Sequence, residues 1–346
     1  MRTILVTGGC GFIGSHTCIS LLENGYKVVV IDSLTNSLPI DCNIISKIVG
    51  IKNLDLGKRF FLYQGDIRDE DFLSKIFKEF KKNHKGIDAV IHFAGLKAVN
   101  ESILKPLEYW SANVGGTLSL LRVMSKYNCS KMIFSSSAAV YDTFFEGILN
   151  EQAPLKPQNP YGRNKLTIEN ILNDLYQSQP DFWKIAILRY FNPIGSHPSG
   201  MMGEAQIEKT SNLFPLISQV AARKREKLQI YGKDWPTHDG TGMRDFIHVM
   251  DLAEAHLASL KYIDNTGSDI FTFNVGTGTG TTVLELIRIF EKVNKCKIPI
   301  EFIGRRKGDV SSSVANISFT SEVLDWSPSR SIHDACLDGW KWQLNN

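Results

Sequence analysis

The sequence predicts an α/β fold: a doubly wound parallel sheet, followed along the chain by a second, smaller α/β domain. The first half alternates short apolar runs with longer amphipathic ones, which is typical of a parallel sheet covered by helices on both faces. A glycine-rich turn follows the first apolar run. At 346 residues the chain is longer than one hydrophobic core usually supports, so two domains are expected.

The predicted strands are short and strongly apolar, as burial on both faces of a parallel sheet requires. In the first half they lie at residues 3–6, 27–31, 59–63, 89–93, 131–134 and 184–188. Amphipathic stretches predict helices at residues 15–24, 70–82 and 107–127. In the second half we predict a helix at 213–227 and strands at 228–231 and 271–275.

A change of composition near residue 190 marks the expected domain boundary. Gly, Pro, Ser and His become frequent between residues 192 and 203, which indicates a loop. We therefore expect a nucleotide-binding domain over residues 1–190 and a substrate domain over residues 191–346. A segment near 244–275 is expected to return to the first domain.

Composition and charge argue against several classes of function. The hydrophobic share is 43% and the formal net charge is +3, too small to favour nucleic acid or an acidic membrane surface as a partner. The densest basic run, residues 223–227, is interpreted as a solvated helix face. Six cysteines are scattered without a Cys-x-x-Cys pair, so no zinc or dithiol site, and no metal, is predicted.

The cellular compartment is predicted from what the sequence lacks. The chain enters its first strand without a signal-peptide pattern. No apolar run is long enough to cross a bilayer. Scattered cysteines suit a reducing compartment. We therefore expect a cytoplasmic protein without a membrane partner.

Residues 7–14 read Thr-Gly-Gly-Cys-Gly-Phe-Ile-Gly and connect the first predicted strand to the first helix. Gly8, Gly11 and Gly14 are needed where the turn is tight, where backbone approaches a pyrophosphate and where helix packs on strand. The helix N-terminus offers free N–H groups to the phosphates. Asp32 lies 18 residues after Gly14, where its carboxylate can bind ribose hydroxyls and repel a 2′-phosphate. The sequence therefore predicts a Rossmann site for NAD rather than NADP.

Two further stretches are predicted to line the nucleotide site. Gly65-Asp66-Ile67 ends the third strand, and Phe93-Ala94-Gly95-Leu96-Lys97 ends the fourth. Ligands of open parallel sheets bind beyond the carboxyl ends of the strands. Asp66 has two interpretations that stay open, contact with the adenine amino group or capping of the next helix.

Tyr161 and Lys165 predict the chemistry. Their spacing of four residues on a helix puts the phenol and the ammonium on one face. A phenol normally ionises near pH ~10, and a fixed cation beside it favours the phenolate, so the pair can act as a base. The run Ser135-Ser136-Ser137 precedes it. Together with a dinucleotide, the pair predicts redox chemistry on an alcohol.

Over nearly its whole length the chain resembles the UDP-glucose 4-epimerase family of the extended short-chain dehydrogenases/reductases. The motifs in the first half are typical of the whole superfamily. Those in the second half, such as Arg189-Tyr190-Phe191-Asn192-Pro193, narrow the resemblance to the epimerases. The motifs lie at residues 7–17, 92–99, 135–138, 161–165, 189–193, 197–200, 239–245 and 305–309.

The resemblance assigns roles to individual residues. It implies that Tyr161, Lys165 and Ser137 are catalytic. The expected NAD contacts are Gly8, Gly11, Phe12, Ile13, Gly14, Asp32, Asn36, Asp66, Ile67, Phe93, Ala94, Gly95, Lys97, Asn113, Tyr161, Lys165 and Phe191. The expected UDP-sugar contacts are Ser137, Tyr161, Asn192, Asn212, Leu213, Tyr231, Arg244, Arg306, Asp309 and Ser313. For Arg244, an ion pair with Asp239 or Asp245 is the structural alternative.

The resemblance also implies the reaction. A UDP-glucose 4-epimerase interconverts UDP-glucose and UDP-galactose by removing the hydride at C4 and returning it to the opposite face of a 4-keto intermediate. NAD is expected to stay tightly bound and to be regenerated in each turnover. UDP-hexoses are the expected partners, with a homodimer formed through residues 107–127 and 161–177.

Three positions depart from the family pattern. Asp142 stands where glycine is usual, and Ala139 lacks a hydroxyl that is often present. Ser313 falls at a position that varies between a bulky aromatic and a small residue. Since a small residue there admits an N-acetyl group, UDP-N-acetylglucosamine and UDP-N-acetylgalactosamine are expected as possible further substrates.

Three alternative functions remain open at the level of sequence. A nucleotide-sugar 4,6-dehydratase would need an Asp-Glu pair after the catalytic hydroxyl, where this chain has Ala138-Ala139. A non-catalytic NAD-binding regulator would commonly lack the Tyr–Lys pair, which is present here. A simple alcohol dehydrogenase would accumulate NADH, whereas an epimerase would show no net redox change.

Overall fold

The computed structural model describes residues 1–143, 148–205, 212–306 and 308–346. Position 307, within one of the motifs named above, lies outside the described residues. The chain forms two compact units. The first unit contains Met1–Val140, Pro157–Arg189 and Ala253–Phe273, and the second contains Tyr141–Lys156, Tyr190–Leu252 and Asn274–Asn346.

Thirteen strands are assigned in the described part of the chain. They are β1 (Thr3–Thr7), β2 (Lys27–Asp32), β3 (Phe60–Gln64), β4 (Ala89–His92), β5 (Lys131–Ser137), β6 (Lys184–Tyr190), β7 (Asn192–Ile194), β8 (Leu228–Tyr231), β9 (Met243–His248), β10 (Asp269–Val275), β11 (Gly280–Thr282), β12 (Ile300–Ile303) and β13 (Ser312–Ser313).

The α-helices of the same ranges are α1 (Phe12–Glu23), α2 (Cys42–Val49), α3 (Asn53–Leu56), α4 (Glu70–Asn83), α5 (Val99–Leu104), α6 (Pro106–Tyr109), α7 (Gly116–Lys126), α8 (Pro160–Ser178), α9 (Leu213–Ala221), α10 (Val249–Asn265), α11 (Val283–Asn294), α12 (Ser318–Leu324) and α13 (Ile332–Asn345). A π-helix, Trp110–Gly115, lies between α6 and α7.

The first unit is built on a seven-stranded sheet with the order β10-β6-β5-β4-β1-β2-β3. The pairs among β3, β2, β1, β4 and β5 are all parallel. Leu5 of the central strand lies between Val29 and Val90, and all three are fully buried. Strand order 3-2-1-4-5 is the doubly wound arrangement, so the predicted fold class is confirmed.

Helix α4 illustrates how sequence makes these elements. Asp69 caps its N-terminus by accepting a hydrogen bond from the backbone N–H of Phe72 at 2.9 Å. Glu70 begins its first turn and Lys82 lies in its last turn, signs of charge that suit the two ends of a helix. Its apolar face, which includes Phe77 and Phe80, is buried in the core of the first unit. Burial of that face holds the helix on the sheet.

The second unit has its own small sheets and core. Strands β11, β9 and β13 form one sheet, β7 pairs with β9, and β12 pairs with β8 in parallel. Phe214, Ile217 and Phe290 are buried together in this core. The paired strands β9 and β13 carry Arg244 and Ser313, two of the residues predicted to bind substrate.

Two predicted helices differ from the structure. The stretch 107–127 is interrupted by the π-helix, where Asn113 turns its side chain to the backbone of Leu96. The predicted helix 213–227 ends at Ala221, because Arg223 adopts a left-handed backbone (φ +58°). The basic run 223–227 is exposed to solvent, as predicted, but it forms a turn and not the predicted helix face.

Candidate active site

The glycine-rich turn after β1 is closed by contacts that exclude larger side chains. Gly8 has a left-handed backbone (φ +70°), and a Cβ there would lie 2.6 Å from the backbone nitrogen of Ala94. A Cβ at Gly14 would collide with the carbonyl oxygen of Gly8. Gly11 donates its N–H to the same carbonyl at 3.2 Å. The turn therefore forms a narrow cradle of backbone, which is what close approach to a pyrophosphate requires.

Helix α1 begins directly after this cradle, with Phe12 and Ile13 in its first turn. Among the residues described around its start, no side chain caps the helix and none in the first turn is acidic. The free N–H groups and the positive end of the helix dipole therefore favour an anion.

Asp32 ends β2 and is almost fully buried. Its carboxylate accepts hydrogen bonds from the N–H of Cys10 at 2.9 Å, from the N–H of Leu34 at 2.9 Å and from the Ser37 hydroxyl at 2.8 Å. Asp32 thus ties the glycine turn to the segment after β2, where Asn36 lies exposed. A carboxylate has about four acceptor sites, so Asp32 can still accept from a ribose hydroxyl.

Asp66 forms a bidentate pair with Arg68, with an N–O distance of 2.6 Å at the shorter contact. Hydrogen bonds from the Arg68 side chain lower the pKa of Asp66 below its usual value. The capping interpretation of Asp66 is wrong, because Asp69 caps the next helix. Ile67 is buried in the core and lies against Gly116.

The loop after β4 is held by Asn113 of the π-helix. The Asn113 side chain accepts the N–H of Leu96 at 2.7 Å and donates to the Leu96 carbonyl at 3.1 Å. Phe93 and Ala94 both donate their N–H groups to the Thr7 carbonyl, and the exposed Lys97 follows in the loop. Asn113 is only 2% exposed. Its side chain therefore fixes the backbone of this loop through two hydrogen bonds with Leu96.

Helix α8 brings Tyr161 to the end of β5. Asn159 caps the helix by accepting the N–H of Gly162 at 2.8 Å. A Cβ at Gly162 would lie 2.5 Å from the Ala139 carbonyl oxygen, so only glycine permits this close packing of helix on strand end. Tyr161 shares a side-chain hydrogen bond with Ser137, the last residue of β5.

Lys165 is buried one turn further along α8, with 6% exposure. Its ammonium donates to the Ser135 carbonyl at 2.5 Å and lies 5.8 Å from the centroid of the Tyr161 ring. Burial lowers the pKa of Lys165 to about 8, and the negative charge of Glu169 opposes that change. The structure therefore brings together the three residues predicted to be catalytic.

The pKa of Tyr161 differs from the sequence expectation. Burial raises it above the usual value for a phenol, and the hydrogen bond with Ser137 only partly offsets this. The sequence predicts that Lys165, helped by the charged nicotinamide, lowers this pKa. In the protein by itself the pKa is raised instead, because desolvation of the phenolate is the larger effect.

In the second unit, Arg244 lies on β9 with its guanidinium held by backbone. It donates to the Met243 carbonyl at 2.8 Å and to the Val310 carbonyl at 3.0 Å, and lies 3.9 Å from the Asp309 carboxylate. Burial lowers the pKa of Arg244, and Asp309 opposes the shift. The alternative of an ion pair with Asp239 or Asp245 is wrong. The Asp245 carboxylate accepts hydrogen bonds from Thr277, Gly278 and Ala315 instead.

Arg306 stacks on Tyr231 at the end of β8, with 4.1 Å from its guanidinium carbon to the ring centroid. The next arginine in sequence, Arg305, stacks in the same way on Trp235 at 4.1 Å and donates to Asp234. After burial, the positive charge of Arg306 also lowers the pKa of Arg244. Two guanidiniums held on rigid supports suit a diphosphate, since each can bind it in bidentate fashion.

The remaining residues predicted to bind ligands are Ser313, Asn192, Asn212, Leu213 and Phe191. Ser313 pairs in register with Arg244 across β13 and β9, and Asn192 donates to the Asp245 carbonyl at 3.2 Å. Asn212 is exposed at the start of α9, and Leu213 is half-buried against the core of the second unit. Phe191 is buried and donates its N–H to the Val275 carbonyl at 3.1 Å.

His92 is a buried core histidine. Its two ring nitrogens lie 2.7 Å from the Thr7 hydroxyl and 2.9 Å from the Thr117 hydroxyl, so both have a hydrogen-bond partner. Within the described ranges, no group of three or more acidic, histidine or cysteine side chains could hold a metal ion. Nor, in those ranges, does any helix have the length and apolarity needed to cross a membrane.

Two further groups of residues support these sites and were not predicted from the sequence. Glu169 and Arg189 form a buried ion pair at 2.6 Å beside Lys165. The signal for Glu169 was its position four residues after Lys165 on the same helix. The support given to the Tyr231 strand by Trp235 and Arg305 had no local sequence signal.

The chain is similar to known proteins over its whole length. The NAD dependent epimerase/dehydratase family matches residues 4–276. Over 345 residues the chain is 46% identical to UDP-glucose 4-epimerase 2 of Arabidopsis thaliana, covering 100% of this chain and 96% of the relative.

Solved structures give the same result. UDP-glucose 4-epimerase from Stenotrophomonas maltophila, with bound NAD and formylated UDP-arabinopyranose, superposes with a TM-score of 0.93 at 41% identity and covers 100% of this chain and 98% of that one. The enzyme from Bifidobacterium longum, in complex with NAD+ and UDP, gives 0.91 at 42% identity, with coverage of 100% and 99%. The resemblance drawn from the motifs is thus confirmed, and the chain belongs to the NAD dependent epimerase/dehydratase family and, within it, to the UDP-glucose 4-epimerases.

Proposed function

We propose that this protein interconverts UDP-glucose and UDP-galactose with NAD as a tightly bound cofactor. The observation that carries the proposal is the cluster of Tyr161, Ser137 and Lys165 in the same unit as the glycine cradle. Family membership and the ligands bound to the two solved relatives support it.

The residues of the first unit fit NAD. Glycine at positions 8 and 14 lets the backbone pack tightly in this turn, because a Cβ at either position would collide with neighbouring backbone, and such a turn allows a pyrophosphate to approach the backbone closely. The start of α1 offers N–H groups to phosphates, and Asp32 offers a carboxylate to ribose. When bound, NAD supplies a reversible acceptor for the two electrons removed at C4 of the sugar.

The protein's own residues handle the proton. Tyr161 takes the proton of the 4-hydroxyl, directly or through Ser137, and returns it when the 4-keto sugar is reduced on its other face. Lys165 remains an ammonium and stabilises the phenolate, while its bond to the Ser135 carbonyl keeps it in place. Positioned acid–base groups of this kind contribute about 10²–10⁴-fold to rate.

In the second unit, Arg244 and Arg306 suit the diphosphate of the substrate. Binding energy from this part of the molecule holds the sugar while it turns between the two hydrogen transfers. The backbone carbonyls that bind Arg244 and the ring under Arg306 reduce the conformational freedom lost on binding.

The test is incubation of the purified protein with UDP-galactose without added NAD, followed by sugar analysis and mass spectrometry. We expect UDP-glucose of unchanged mass and no accumulation of NADH. Loss of one water would favour the dehydratase. Stoichiometric NADH would favour the alcohol dehydrogenase. Bound NAD without conversion would favour the non-catalytic regulator and contradict the proposal.

We also propose that the N-acetylated pair, UDP-N-acetylglucosamine and UDP-N-acetylgalactosamine, is accepted. Ser313 supports this, because it pairs in register with Arg244 on β9 and its side chain is smaller than the aromatic ring that can stand at this position in the family. Incubation with UDP-N-acetylgalactosamine tests it directly. Absence of any conversion, in a preparation active on UDP-galactose, would show that the pocket is closed to the acetamido group.

A cytoplasmic homodimer is the proposed form of the protein. Ile103, Leu104 and Leu107 on α5 and α6 expose 60%, 81% and 81% of their surface, and such apolar surface favours a covering partner. On α7, Leu120, Leu121 and Met124 are already buried in the core of the first unit. The proposal therefore rests on the exposed apolar residues of α5 and α6. Sedimentation should give a dimer for the native chain and a monomer for Leu104→Glu/Leu107→Glu. A monomeric native chain would contradict it.

A further inference from the structure

Glu169 is a buried carboxylate for which the proposed chemistry has no direct use. It is 3% exposed and follows Lys165 by one helical turn on α8. Arg189 binds both of its oxygens, with Nε to Oε1 at 3.1 Å and Nη2 to Oε2 at 2.6 Å. The Ser136 hydroxyl donates to Oε1 as well. Both of these partners, Ser136 on β5 and Arg189 on β6, are themselves buried.

Stability alone does not explain such a pair. Removing two charges from water is costly, and apolar residues of similar volume commonly stabilise a core as well or better. The position of the pair is more informative than its energy. Two successive residues of β5 bind the two charged groups of α8. The Ser135 carbonyl accepts a hydrogen bond from Lys165, and the Ser136 hydroxyl donates one to Glu169.

Three titratable groups lie near Lys165, and one further charged group, Arg189, binds the carboxylate of one of them. Tyr161 and Glu169 lie on its own helix, Arg189 lies behind Glu169 on β6, and His92 lies on β4. His92 is neutral near pH 7, because burial, and then the charge of Lys165, lower its pKa to about 3. With Tyr161 as a phenol, Glu169 is the one negatively charged group among these four.

We propose that Glu169 is a positioning residue for Lys165, and that Arg189 and Ser136 hold its carboxylate where it keeps the ammonium charged without binding it. Because Arg189 occupies both carboxylate oxygens, Lys165 stays on the Ser135 carbonyl with its remaining N–H groups directed elsewhere. The inference rests on the proposed epimerase reaction, in which Lys165 acts as an ammonium.

The effect on pH dependence has a definite sign. Burial lowers the pKa of Lys165 to about 8, and the carboxylate of Glu169 opposes the shift. Replacing Glu169 with glutamine removes that opposition and leaves the Arg189 charge unbalanced, so the ammonium is lost at lower pH. Replacing Arg189 with glutamine leaves the carboxylate unpartnered by a cation, so the ammonium persists to higher pH.

The experiment is the pH profile of kcat for UDP-galactose, measured from pH 6 to pH 10 on the holoenzyme. For Glu169→Gln we expect the alkaline limb to move down by about one pH unit or more, with KM little changed. For Arg189→Gln we expect the limb to move up. Asp174→Asn, which removes an exposed carboxylate from the same helix, is the matched control and should leave the limb where it is.

A purely structural role predicts a different result. Both buried-site variants would then melt at lower temperature while their alkaline limbs stayed at the native position, and that outcome overturns the inference. If Glu169→Gln does not fold, the direction of the limb in Arg189→Gln decides the question. Failure of the native protein to convert UDP-galactose would overturn the proposed function instead, so the two failures are distinguishable.

Discussion

Tyr161 and Lys165 show how burial shapes a catalytic pair at the scale of single residues. Burial moves the pKa of the phenol up and that of the ammonium down to about 8. In the protein alone the pair is therefore phenol plus ammonium at neutral pH. A further positive charge near Tyr161 is needed to favour the phenolate, and oxidised nicotinamide carries one. Basicity of Tyr161 should thus depend on the redox state of the cofactor.

Tyr161→Phe should lower kcat at least ~100-fold, because the phenolic oxygen that accepts the proton is removed. Stopped assays with UDP-galactose measure the rate, and the absorbance of released dinucleotide measures retained NAD. Tyr176→Phe, at a half-buried position near the C-terminal end of the same helix, is the control. Ser137→Ala should cost less than Tyr161→Phe, since Ser137 relays or orients the proton. Near-native turnover of Tyr161→Phe would remove Tyr161 from the mechanism.

Ser313→Tyr should impair conversion of UDP-N-acetylgalactosamine while largely sparing UDP-galactose. The physical reason is steric, because an aromatic ring on β13 would occupy the space needed by the acetamido group. The ratio of kcat/KM for the two substrates is the measurement. Equal loss on both would show that pocket size at Ser313 does not select between them.

At the scale of elements, the strand–turn–helix around Gly8 to Gly14 was predictable because its demands are local. A left-handed backbone and two close backbone contacts leave glycine as the suitable residue, and the glycine spacing is visible in the sequence. The π-helix at Trp110–Gly115 was not predictable. Its apolar pattern continues that of the flanking helices, and only the hydrogen bonds of Asn113 to a distant loop reveal its purpose.

Gly14→Ala should abolish NAD retention and destabilise the first unit, because the new Cβ would collide with the Gly8 carbonyl oxygen. The cradle must then open or α1 must move off β1, at a cost of about 1–3 kcal/mol in unfolding free energy for an overpacked site. Gly267→Ala is the control, since its Cβ would meet open space. A Gly14→Ala protein that retains NAD at the native melting temperature would show that the close packing is unimportant.

At the scale of the whole molecule, burial of ionisable groups links stability to pH. His92 is fully buried between the Thr7 and Thr117 hydroxyls, and its pKa falls to about 3 in the folded state. An unfolded histidine binds a proton below pH ~6.5. Between pH ~6.5 and about 3 the unfolded state therefore holds more protons than the folded state at this residue, so stability falls as the pH is lowered through that window.

His92→Gln should make unfolding less sensitive to acid. At pH 5 the native His92 contributes a loss of about 2 kcal/mol relative to pH 7, which the variant lacks. Urea unfolding of both proteins at pH 7 and pH 5 measures this difference. An identical pH dependence in the two proteins would mean that His92 is protonated in the folded state.

The sequence by itself determined the fold class, the glycine turn and the Tyr161–Lys165 pair, whereas the expected roles of Arg244 and Arg306 came from the family resemblance. The first three depend on residue type and on spacing along a few turns or strands, which sequence records directly. Only the tertiary structure decided that Glu169 pairs with Arg189, that Arg244 binds the backbone of residues 243 and 310, and that burial raises the pKa of Tyr161. These outcomes depend on which segments, far apart in the chain, exclude water from one another.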